Sequence, residues 1–200
     1  MSGALPTSPA FADLKITSYQ QTIVAKAISG RRQTRLIGGQ YWKLYATYAP
    51  MTRAEFAPIY AFMMKQRGSF DTFTVKPPVL KDAAGATQGT PLVNGASQTG
   101  RSIVTDGWGT GAEITVLKAG DFIGFTNHTK IYMVTADVTC DTSGNATIAI
   151  EPELQTSPSD NEALVVDNVA FTVYSESGIF ETTTNTSNVF SFSLNLCEAF

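Results

Sequence analysis

Short strand-like runs separated by turn residues are the feature that most limits what this chain can become. Residues 102–105, 114–117, 122–125, 131–135, 145–151 and 163–167 are such runs, rich in β-branched or aromatic side chains and bounded by turn-forming residues. That spacing builds a small β-barrel or sandwich, because each strand buries a face and must turn back to find its neighbour. The sequence holds 26 threonines and 12 phenylalanines with only 16% charged residues, a strand-forming composition. With 200 residues and 43% hydrophobic content, it can bury one medium core or two small ones.

The first 13 residues are small, proline-bearing and unpatterned, and read as an extended arm. Residues 14–18 and 22–27 read as short or edge strands, and Gly30 with Arg31, Arg32 and Arg35 as a basic hairpin or loop. From Tyr41 the pattern sharpens. Trp42, Leu44, Ala46 and Tyr48 alternate with Tyr41, Lys43, Tyr45 and Thr47, the period of a strand with one core face. A helix over about 53–66 follows: Thr52 and Glu55 have capping-box spacing, Met51 and Phe56 that of a hydrophobic staple, and Phe56, Ile59, Tyr60 and Met63 share one helix face. Pro58 interrupts its hydrogen bonding. Residues 70–75 read as a strand stopped by Pro77 and Pro78.

Residues 81–100 are polar and glycine-rich, as in a connector. At the end of the chain, Phe190, Phe192, Leu194 and Leu196 alternate with Ser191, Ser193 and Asn195. The natural partners of that strand are the aromatic strands before Pro77. Because the termini of a domain often lie close together, the middle of the chain is expected to be an insertion. The expected domains are residues 1–80 with 168–200, and residues 81–167.

Charge is divided unevenly. Residues 1–81 hold 11 Lys/Arg against 3 Asp/Glu, a balance of +8, and residues 82–200 hold 3 against 14, a balance of −11. Three readings follow: a basic surface for nucleic acid, a basic face of one copy meeting the acidic face of the next, or two inert surfaces. The acidity of residues 82–167 argues against polyanion binding there. No stretch has the roughly 20 apolar residues of a membrane-spanning helix, and the N-terminus lacks the features of a secretion signal, so a cytosolic product is expected. Cys140 and Cys197 have no metal-ligand spacing and read as packed free thiols.

Templates for chemistry each lack a partner. His128, the sole histidine, sits in a polar turn with no nucleophile beside it. The stretch from Asp141 to Asn145 has the look of a calcium loop, but position 12 of such a loop would be Pro152 instead of a bidentate Glu; a hairpin turn closed by Asp141 and Gly144 is expected. Gly107, Gly109 and Gly111 lack phosphate-loop spacing. Glu151 with Glu153 and Asp160 with Glu162 are neighbours two apart, which on a strand only share a face. The triplets at Asn127, Asn145 and Asn185 matter only in a secreted eukaryotic protein. Tyr41, Trp42, Lys43, Tyr45 and Tyr48 with the three arginines could serve base stacking, although alternation sends half of the aromatics inward. Trp108 and Tyr132 are candidates for stacking on a sugar ring. No enzyme, cofactor or metal is expected.

Two stretches resemble a known family. One runs from Gly39-Gln40-Tyr41-Trp42 through the capped helix to Phe70. The other runs from Gly120-Asp121-Phe122-Ile123 through Tyr132-Met133-Val134-Thr135-Ala136-Asp137 to the segment from Ser143 to Pro152. Both are similar to segments of distal tail proteins and related minor tail proteins of long, flexible-tailed (siphovirus-type) bacteriophages. The resemblance implies a mainly β fold with one α-helix: a β-sandwich-like ring-forming domain from both chain ends with an inserted small OB-like β-barrel. It implies a structural virion protein at the distal end of the tail, made in the host cytoplasm. Six copies would close into a ring joining the tail tube protein to the baseplate hub or to tail fibre and receptor-binding proteins, with phage DNA passing through and no specific nucleic-acid binding. Arg31, Arg32 and Arg35 are the subunit-interface candidates. The alternative is a carbohydrate-binding module that attaches to the host surface through Trp108 and Tyr132 of the insertion.

Overall fold

The computed structural model describes residues 3–184 and 189–200, so the triplet at Asn185 lies outside the described residues. The N-terminal part forms β1 (Phe11–Tyr19), β2 (Thr22–Lys26), β3 (Arg32–Leu36), β4 (Tyr41–Tyr48), α1 (Arg53–Lys65) and β5 (Phe73–Val75). In β4 the alternation works as the sequence predicts: Trp42, Leu44, Ala46 and Tyr48 are buried, while Tyr45 is exposed. β1 pairs antiparallel with β4 from Tyr19↔Tyr41 to Phe11↔Tyr48, with one irregularity between Phe11 and Asp13. The expected loose arm is therefore tied down. Leu5 is buried and its amide donates to the Thr74 carbonyl at 2.9 Å, while the Thr74 amide donates to Gly3 at 3.0 Å. An apolar anchor at Leu5, flanked by residues too varied to show a period, leaves no periodic signal in the sequence.

The helix starts as its cap requires. The Glu55 carboxylate accepts from the Thr52 amide at 2.9 Å and from the Thr52 hydroxyl at 2.8 Å, holding the first turn and drawing the Glu55 pKa below its ordinary value. Phe56, Ile59 and Met63 are buried, and the helix runs through Pro58. Phe56 stacks on Phe190 at 4.7 Å between ring centroids, and Phe62 meets Phe73 edge-on at 5.4 Å. The strand after the helix starts at Phe73 and not at Phe70. Arg67 and Gly68 take φ of 55° and 72°, which turns the chain. Phe70, left exposed by that turn, lies 4.5 Å beneath the Arg67 guanidinium.

The inserted part contains β6 (Leu92–Val93), β7 (Ser102–Asp106), β8 (Ile114–Leu117), β9 (Phe122–Phe125), β10 (Tyr132–Val134), β11 (Val138–Cys140), β12 (Ala146–Glu151) and β13 (Leu164–Val165). Six of these form a sheet in the order β13-β9-β10-β12-β7-β6, and β8 pairs with β11 in a separate ribbon. A bridge between Leu92 and Ala163 and bonds from Val93 to Glu162 (2.9 Å) and from Leu164 to Pro91 (3.0 Å) bring the two sheet edges together. The result is a nearly closed barrel, which leaves few exposed edges. Residues 81–100, read as a connector, are bonded into it: Ala83 donates to Val166, Ala86 to Thr115 and Thr90 to Gly107. Gly85 passes so close that a Cβ there would lie 2.2 Å from the Val116 carbonyl oxygen. Small residues are what a segment needs to lie flat on a barrel, and composition alone gives them the signature of a linker.

The chain returns through β14 (Phe171–Ser175), β15 (Thr183–Thr184), β16 (Phe190–Ser191) and β17 (Ser193–Glu198). Of these, β14 and β17 complete a five-stranded sheet, β1-β4-β17-β14-β5, in which Leu194 lies opposite Ala46 and Leu196 opposite Leu44, while β15 and β16 pair with each other. Both ends of the sequence thus contribute to one sheet. The chain divides into two compact units, residues 1–74 with 173–199, and residues 75–172 with Phe200. Its class is mainly β with one helix.

Candidate assembly surface

Among the described residues, the β2–β3 hairpin pairs only within itself, forming a two-stranded sheet of its own. Its register runs Thr22↔Leu36, Ile23↔Arg35, Val24↔Thr34, Ala25↔Gln33 and Lys26↔Arg32. The turn is closed by Gly30 at φ 82°, whose amide donates to Ala27 at 2.8 Å. Every residue of both strands is exposed, including Ile23 (55%), Val24 (52%) and Leu36 (44%). Directly opposed residues share a face, so one face carries Val24, Leu36, Lys26 and Arg32 and the other Ile23 and Arg35. Lys26 therefore faces a like charge across the ribbon. Residues 14–54 contain no Asp or Glu to relieve it.

Several cations elsewhere find carboxylates. Lys43 pairs with Glu176, which holds the Lys43 pKa above its ordinary value; Arg67 pairs with Asp71 at 2.8 Å and Arg101 with Glu151 at 3.1 Å. Among the described residues, Lys26, Arg31, Arg32 and Arg35 have no such pair. Lys26, Ile23, Val24, Ile28 and Leu36 are residues of this surface that sequence reasoning did not single out. Counting outward from the turn before Gly30 places Lys26 opposite Arg32, a signal that was present but needs the register to be read.

The glycan-stacking candidates belong to the barrel core instead. Trp108 is 1% exposed and its indole N–H donates to Thr105 Oγ1 at 2.7 Å, while that hydroxyl donates to the Ala146 carbonyl at 2.9 Å. Tyr132 is fully buried, and its hydroxyl accepts from the Gln155 amide at 3.1 Å. A ring enclosed on both faces cannot stack on a sugar. The glycines around Trp108, which resemble an open loop in sequence, serve close packing: a Cβ on Gly144 would meet the Gly109 carbonyl oxygen at 2.4 Å.

The remaining polar candidates are structural. The Asp141 carboxylate accepts from Asn145 Nδ2 at 2.9 Å and from the Asn145 and Ser143 amides at 2.8 Å each, which lowers its pKa and occupies it within its own turn. Glu162 is buried and accepts from the Asn127 and Ser159 amides at 3.1 and 3.0 Å. His128 Nε2 lies 3.9 Å from that carboxylate, and its Nδ1 is buried with no hydrogen-bond partner among the described residues. Cys140 and Cys197 are free, buried thiols. Among the described residues, no three His, Cys, Asp or Glu side chains gather as a metal site would require. What the arrangement offers is a partly apolar ribbon whose cations have no ion pair among the described residues, together with a well-packed barrel.

No curated protein matches the chain. Residues 81–169 match the family model described as distal tail protein pb9, B domain. The matched segment includes all eight strands of the barrel and its ribbon, from Leu92 to Val165. Residues 81–169 thus carry a domain of the kind found in bacteriophage distal tail proteins, which supports a structural role in a virion tail.

Proposed function

We propose that copies of this protein close into a ring, a hexamer, at the distal end of the tail, joining the tail tube protein on one side to the baseplate hub or tail fibre proteins on the other. The observation that carries this reading is the match of residues 81–169 to the B domain of a distal tail protein, set within a chain whose two ends share one sheet. A ring uses a heterologous interface, one side of each copy against the opposite side of the next. A chain with +8 in residues 1–81 and −11 in residues 82–200 suits such an interface. Arg31, Arg32 and Arg35 are the interface residues on the basic side.

Negative-stain imaging and sedimentation of the purified chain across a salt series test this. Rings that dissociate as salt rises support it, since exposed charge pairs weaken as the screening length falls from about 10 Å at 0.1 M to about 3 Å at 1 M. A monomer at every salt concentration overturns the ring. A salt-independent ring removes the electrostatic part alone.

A further inference from the structure

We infer that the β2–β3 hairpin is a docking arm completed by a second copy of this chain, its cations against carboxylates of the neighbour and its aliphatic side chains against the neighbour's surface. The inference rests on the ring reading above and names the surface the ring would use.

Three observations carry it. An isolated two-stranded ribbon is at best marginally stable in water, and this one has all its strand residues exposed. Like charges directly opposite across a ribbon are destabilising, yet Lys26 faces Arg32 with Arg31 next to it and no acid anywhere in residues 14–54. An external set of carboxylates relieves that repulsion.

The same chain supplies such a set. Residues 82–167 carry 11 Asp/Glu against 3 Lys/Arg, and Glu113 and Glu153 are exposed and without an ion pair among the described residues. The third observation selects a protein partner over a nucleic acid. Ile23, Val24 and Leu36 are exposed in the strands and Ile28 at the turn, and a phosphate backbone offers no apolar surface to cover them.

The test mixes ¹⁵N-labelled and unlabelled native chains, lets them exchange, and treats them with a carbodiimide that joins amines to carboxylates in direct contact. Peptides linking Lys26 of one isotope to Asp or Glu of the other are expected. In sedimentation, Lys26→Glu with Arg32→Glu is expected to raise the concentration for half-assembly at least tenfold, Arg32→Gln by less, with unchanged circular dichroism. Lys26 cross-links confined to one isotope, or a doubly reversed variant that assembles like the native chain, overturn the docking arm and leave the ring standing. Native chains that stay monomeric at every concentration remove the ring, and the arm with it. Duplex DNA binding that the double reversal abolishes while self-association persists also overturns the inference.

Discussion

The barrel and the hairpin are both built from antiparallel strands, yet they deal with the unpaired edges of a strand in opposite ways. In the barrel, Leu92 meets Ala163 and the sheet returns on itself, while Trp108, Tyr132, Ile148 and Ile150 fill the interior. Even the indole and phenol polar atoms are satisfied inside. The hairpin closes nothing and encloses nothing. Its aliphatic residues are exposed and Lys26 lies opposite Arg32. A unit that satisfies itself has its stability in its own contacts, whereas an isolated two-stranded ribbon is at best marginally stable in water.

The largest expected effect lies on the barrel side. Trp108→Ala removes a buried indole and leaves the Thr105 hydroxyl without its donor, and is expected to cost about 3–5 kcal/mol in chemical denaturation. A loss below about 1 kcal/mol would show that the ring is not held as described. Next is Ile59→Val at the fully buried helix face, expected to cost about 0.5–1.5 kcal/mol. In the hairpin, Val24→Thr should shift stability by no more than about 0.5 kcal/mol in the unassembled chain, because the side chain is already in water. A loss like that of a core residue would mean that the ribbon is packed within its own copy, and the contrast would fail.

Acid sharpens the comparison through small effects. Glu55 and Asp141 both have folded pKa values below their ordinary 4.5 and 3.8. Their stabilising contribution is present above those values and is lost as pH falls through the lower folded ones. Melting temperature should therefore drop as pH goes below 4.5, and Glu55→Gln should flatten part of that drop. Identical acid profiles for the variant and the native chain would remove the cap from the account.

Much of the fold was legible where a period was long enough to count. The β4 alternation spans eight residues, and the helix is announced by Thr52 and Glu55 at the spacing a cap demands. Illegible were the elements too short or too evenly buried to have a period: Leu92–Val93, Val138–Cys140, and Phe171–Ser175, buried on both faces. The candidate assembly surface was half legible. The arginines beside Gly30 stand out in composition, but the opposition of Lys26 and Arg32 exists only in the register. Trp108 misled for a physical reason: glycines on either side serve an open loop and a tightly packed one equally well.

Native mass spectrometry of the purified full chain tests the central claim most directly. The account predicts a dominant species at six times the 21.4 kDa chain mass, dissociating as ionic strength rises. A monomer as the sole species across the concentration range would contradict it.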